Sequence, residues 1–106
     1  MLITTQDELD GYSVTQTLGI VRGNSVRARH LGKDILAGFR NMVGGEIIEY
    51  TKLLAEAREQ AMDRMIENAR SLGADGIVCI RFTTSSIMQA AAELFVYGTA
   101  VKLKKD

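Results

Sequence analysis

The chain has 106 residues and a mass of 11.6 kDa, the size at which one hydrophobic core serves one domain, so residues 1–106 are expected to form a single domain. Thirteen basic residues balance thirteen acidic ones, which leaves no net field to draw nucleic acid or an anionic membrane to the surface as a whole, and neither is expected as a partner. Cys79 is the one cysteine, the N-terminal MLITTQDELD lacks the basic start and apolar stretch of a secretory signal, and no apolar run reaches the ~18 residues that span a bilayer. The expected setting is a reducing cytoplasm.

Asp7, Glu8 and Asp10 read as a solvated turn. Residues Val14 to Val26 are rich in Val, Thr and Ile and are interrupted by Gly19 and Gly23, which predicts a strand with a bend or bulge. Leu31, Ile35, Phe39 and Met42 follow at near-helical spacing, while Gly32 and Gly38 weaken helix propensity, so a short or broken helix is expected there. Gly44 and Gly45 then free the backbone to turn.

A long helix comes next. Tyr50, Leu54, Ala57, Ala61, Met65, Ala69 and Leu72 recur at steps of three and four, with Leu53, Met62 and Ile66 widening the stripe, which makes one face apolar. Lys52, Glu56, Glu59, Asp63, Glu67 and Arg70 mark the solvated side. Gly73 is placed to end the helix in the left-handed cap position, and Ala74, Asp75 and Gly76 leave room only for a tight connection. Ile77 to Thr84 and Glu93 to Leu103 read as two strands joined by a short link and paired antiparallel. In the second, Phe95, Tyr97, Thr99, Val101 and Leu103 point one way while Leu94, Val96, Gly98 and Ala100 point the other.

The fold class is therefore α+β: strand, short helix, long helix, antiparallel strand pair. A helix of ~25 residues is ~37 Å long, whereas a compact chain of this length has a radius of gyration near ~13 Å. One helix covers one face of a small sheet, yet the last strand is apolar on both, so its second face calls for another copy of the chain.

Few residues gather into chemistry. Soft-metal binding would draw on the five methionines, Cys79 and His30, but Met62 and Met65 sit on the helix stripe, where methionine fills core gaps. His30 has no nearby cysteine or second histidine, so His30 and Cys79 become metal candidates only if an oligomer axis multiplies one donor per chain. Cys79, between Val78 and Ile80, reads as a buried and inert strand residue. His30 also stands among Arg27, Arg29 and Lys33, either as part of an anion-binding cluster or as an exposed loop residue. Gly44 and Gly45 before the long helix could present N–H groups to an anion, with Arg40 and Tyr50 beside them, although the Lys and Ser/Thr of a phosphate loop are absent. No nucleophile is paired with a base, so no catalytic residue is assigned.

Several segments together resemble the YbjQ family, also called UPF0145 or DUF74: Gly19, Ile20, Val21 and Gly23; KDILAGFRNMVGG at 33–45; Tyr50; Leu53 with Ala57 and Arg58; Gly-Ala-Asp at 73–75; and GTAVK at 98–102. The resemblance runs nearly end to end. It implies a dodecin-like β-α-β-β subunit assembled into a pentameric ring, and a metal ion as the candidate cofactor. Where many relatives carry alternating acidic residues, this chain has Arg81, Thr83 and Ser85.

The leading expectation is a non-enzymatic homo-oligomeric protein that binds a metal ion or small ligand at subunit interfaces. The alternatives are an enzyme with an inter-subunit anion site around Arg40, Gly44, Gly45 and Tyr50, or a structural adaptor ring that presents its helix face to another protein.

Overall fold

The computed structural model describes residues 1–28, 47–88 and 91–106. They form β1 (Leu2–Ile3), β2 (Tyr12–Ala28), α1 (Ile47–Ser71), β3 (Gly76–Met88) and β4 (Ala91–Lys105). The sheet order is β1-β3-β4-β2, with β1 parallel to β3 and the other neighbours antiparallel. This is an α+β architecture: a mixed four-stranded sheet with, among the described residues, one helix. The short helix expected after residue 27 lies largely outside the described residues.

The helix has 25 residues, as its apolar period demanded. Ala57, Ala61, Met65 and Ala69 are buried against Val21, Ile77, Ile80, Leu94, Val96 and Ala100. Leu72 departs from the expected stripe and is exposed, because the helix has already ended. Gly73, at φ 75°, donates its N–H to Arg70 O at 2.9 Å, and Ala74 donates to Ala69 O at 3.1 Å. This nested pair satisfies two of the last carbonyls and turns the chain left-handed.

Small residues let the helix settle directly onto β2. A Cβ built on Gly23 would lie 2.0 Å from Ala61 O and 2.6 Å from Met65 N, so the two backbones touch where only hydrogen fits. Helix side chains also reach polar groups of β2. Asn68 Oδ1 accepts from Arg22 N–H at 3.3 Å, Arg64 donates to Asn24 O at 2.6 Å, and buried Ser25 donates to Gln60 Oε1 at 2.6 Å. Residues 22 and 24 share a strand edge, and bonding that edge to the helix denies it to a stray strand.

The strands are longer than their apolar cores suggested. β2 has 17 residues, β3 13 and β4 15, so the Cα atoms extend over 55 × 24 × 16 Å with a radius of gyration of 17.3 Å. That exceeds the ~13 Å of a compact chain of this length. The helix no longer spans the subunit, and four consecutive β3 residues, Phe82, Thr83, Thr84 and Ser85, are exposed although their side chains alternate between two faces.

β1 was not foreseen. It places the N-terminal segment beside β3, with Thr4 N–H donating to Ile77 O at 3.0 Å and Cys79 N–H to Gln6 O at 2.9 Å. Asp7, Glu8 and Asp10 are exposed as expected.

Candidate functional site

The sheet has two unlike faces. Val21, Gly23 and Ser25 on β2, Leu94, Val96 and Ala100 on β4, and Ile77 and Ile80 on β3 belong to the helix side. The register puts Ile20, Arg22, Asn24 and Val26 on the far side, opposite Thr99, Tyr97, Phe95 and Glu93. There Ile20 is 78% exposed, Val26 52% and Tyr97 38%.

One row of this far face carries charge and aromatic surface together. Arg22 on β2 stands opposite Tyr97 on β4, and Tyr97 stands opposite Arg81 on β3. One step along β4, Phe95 lies with its ring centroid 5.7 Å from that of Tyr97 at an interplanar angle of 33°. Arg81 donates through one nitrogen to Thr5 O at 2.7 Å and Ile80 O at 2.8 Å, which anchors its guanidinium at the sheet margin. Glu93, the acidic residue of this face, lies two rows from Tyr97 and accepts from Asn24 Nδ2 at 3.4 Å. Among the described residues the only ion pair is Arg70 with Glu67 on the helix, so neither arginine of the row meets a carboxylate there. Periodicity had marked Tyr97 as apolar surface; the cross-strand neighbours that make it part of a row could not be read from it.

Cys79 does not occupy the regular strand interior expected of it. Val78 pairs with Thr99 and Arg81 with Tyr97, with a register shift between. Cys79 and Ile80 therefore share one partner position, a β-bulge. Cys79 takes φ 57°, a left-handed conformation uncommon for a side-chain-bearing residue, and is only half-buried.

The other sequence candidates are placed as follows. His30, Arg40, Gly44 and Gly45 lie outside the described residues; Tyr50 falls in the first turn of α1, with its side chain outside them. Among the described residues no group of three or more His, Cys, Asp or Glu could hold a metal ion, so Cys79 belongs to no cluster of the kind that holds zinc within one subunit. A groove of about 680 Å³ runs between α1 and Phe82, with Ala55 and Met62 along it and Lys52, Arg58, Glu59 and Asp63 at its rim. The mixed rim selects no ligand charge. No helix among the described residues is long and apolar enough to cross a membrane.

Residues 1–104 match the family model described as "Putative heavy-metal-binding" (YbjQ). The chain belongs to the YbjQ family. It is 53% identical over 103 residues to a UPF0145 protein of Methanosarcina acetivorans, covering 97% of each chain. It is 56% identical over 105 residues to a UPF0145 protein of Pseudothermotoga lettingae, covering 99% of each. A Thermus thermophilus UPF0145 protein is 55% identical over 104 residues, covering 98% of this chain and 91% of that one. The fold is similar to the crystal structure of a DUF74 family protein from Pediococcus pentosaceus, with TM-score 0.65, 20% identity and 98% of each chain covered. Two YbjQ segments quoted above gain a physical role in the structure. Gly-Ala-Asp at 73–75 supplies the helix cap and, through Asp75 Oδ2, an acceptor 2.9 Å from Leu103 N–H. Gly23 supplies the close contact between helix and sheet.

Proposed function

We propose that this YbjQ protein is a non-enzymatic homo-oligomer, a pentameric ring in the cytoplasm, that holds a small ligand where the far face of one sheet meets the next subunit. The observation that carries the reading is the exposure of Ile20, Val26 and Tyr97 on the far face of the sheet, although Val78 and Val101 on that face are buried. A monomer leaves such side chains in water at a cost of ~25 cal/mol per Å² of apolar area. The exposed arm of β3 and the 55 Å length of so small a chain support the same reading. A head-to-tail contact between identical subunits closes into a ring when its rotation permits.

A metal version of this function requires one donor per subunit around the axis, and Cys79 and His30 are the candidates. Sedimentation velocity at micromolar concentration is expected to give a mass near five subunits; a folded 11.6 kDa monomer would overturn the assembly. Elemental analysis of protein purified without a metal-affinity tag, with Cys79→Ala and His30→Ala alongside, tests the metal. Bound metal that neither substitution removes would clear both residues of the role.

A further inference from the structure

We infer that the Arg22–Tyr97–Arg81 row binds a planar aromatic anion of mononucleotide chemistry, its ring on Tyr97 and Phe95 and its phosphate held by the two arginines. The inference rests on the proposed use of this face for a ligand and specifies the ligand's chemistry.

Two arginines pose an electrostatic problem on a face that also carries Ile20, Val26, Phe95 and Tyr97. Once the face is covered, each guanidinium must keep an anion or be buried unpaired, which is strongly unfavourable. The far face offers Glu93, which already accepts from Asn24 and lies two rows away. Arg81 satisfies one nitrogen on backbone carbonyls and has further N–H donors in its fork. Among the described residues the row meets no carboxylate, and guanidinium geometry suits phosphate.

The aromatic pair sets the rest of the ligand. Tyr97 is exposed and Phe95 partly so, and their rings tilt by 33°, leaving π-surface over which another ring can stack. Arg22 and Arg81 flank Tyr97 two strand spacings apart, about 10 Å at Cα, a gap that two arginine side chains can close on one phosphate. Aromatic side chains on an open sheet with flanking arginines form the general platform on which bases stack. The balanced charge of the chain supplies no extended field for a polymer backbone, which favours the free nucleotide over a strand.

Equilibrium dialysis of the intact protein against AMP, adenosine, inorganic phosphate and a single-stranded eight-base oligonucleotide tests this, with native mass spectra of each variant in parallel. AMP is expected to bind, and adenosine or phosphate alone to bind at least about tenfold more weakly. Arg22→Gln and Tyr97→Leu are each expected to weaken AMP binding about tenfold with subunit number unchanged, and Arg22→Lys to restore it in part. Failure of the wild type to bind AMP, or equal affinity for adenosine, overturns the inference. So does AMP affinity unchanged in both Arg22→Gln and Tyr97→Leu. Tighter binding of the oligonucleotide overturns the assignment to free nucleotide. Arg22→Gln that breaks the assembly would identify the anion as a carboxylate of a neighbouring copy and also overturn it. A wild-type monomer that binds AMP would remove the ring and leave this site standing, whereas an assembled protein that binds none removes the site alone.

Discussion

Replacing Gly23 by alanine tests the seating of the helix, because two effects of opposite sign compete at that position. Gly23 does not have the positive φ that favours glycine, so alanine would ordinarily stabilise the fold by about 0.4–1 kcal/mol through reduced freedom of the unfolded chain. Here the new Cβ would meet Ala61 O at 2.0 Å and Met65 N at 2.6 Å. Both are backbone atoms that no rotamer change can move aside. The helix must retreat by about 1.5 Å to restore an ordinary contact, and gaps of even about 1 Å forfeit up to half of each dispersion contact. Ala57, Ala61, Met65 and Ala69 would all loosen from the sheet, so the cost should reach the top of the overpacking range, about 3 kcal/mol. In a domain of this size that lowers the melting temperature by about 12–24 °C. Urea and thermal unfolding followed by far-UV circular dichroism, at one fixed protein concentration because assembly shifts apparent stability, would read it. Gly11→Ala is the control: at φ 81° with nothing within 4 Å, it should cost only the conformational term of about 1–2 kcal/mol. A Gly23→Ala protein as stable as the wild type would refute the direct backbone contact between α1 and β2.

At Cys79, φ 57° should reverse the usual strand preference. Cys79→Gly is expected to be more stable than Cys79→Ala by about 1 kcal/mol in urea unfolding, and the opposite order would mean that the bulge is not held left-handed in solution. Ser25→Ala removes the 2.6 Å bond to Gln60 from a fully buried site and should cost about 1 kcal/mol by the same measurement; no change would show Gln60 re-partnered with water. Ile20→Asp puts a charge on the most exposed apolar position of the far face and should split the assembly, with a sedimentation mass falling toward one subunit. An unchanged mass would remove that face from the interface.

The parts of the fold that could be read from sequence were those with a local period. Ala57, Ala61, Met65 and Ala69 recur at helical steps, and Phe95, Tyr97 and Thr99 alternate with Leu94, Val96 and Gly98, so α1 and both faces of β4 were recognisable before any pairing was known. Leu72 was assigned to the stripe because its spacing fits, yet the left-handed Gly73 ends the helix one residue earlier. The strand tails beyond Thr84 and before Glu93 were invisible because Ser85, Ser86, Ala91 and Ala92 carry no apolar alternation. β1 was missed because two residues make no pattern, and its place beside β3 is fixed by bonds to Asp75 and Ile77 far along the chain.

The candidate site was hidden for a more specific reason, which lies in the bulge. Had β3 kept its register past Val78 and Thr99, Ile80 would have stood opposite Tyr97 on the far face and Arg81 opposite Val96 on the helix face. A one-residue slip exchanges the faces of everything beyond it. The extra residue at Cys79 corrects that, sending Ile80 into the core at 3% exposure and Arg81 outward beside Tyr97. Valine, cysteine, isoleucine and arginine in succession show nothing of it, because what stabilises the bulge is the N-terminal segment: Gln6 O accepts from Cys79 N–H, Thr4 O from Ile80 N–H, and Thr5 O from Arg81. The strain at Cys79 is thus offset by burying an isoleucine and by keeping a guanidinium out of the core, where it would be left unpaired. The cysteine that first looked like a metal donor matters through its backbone, which determines the face on which Arg81 appears.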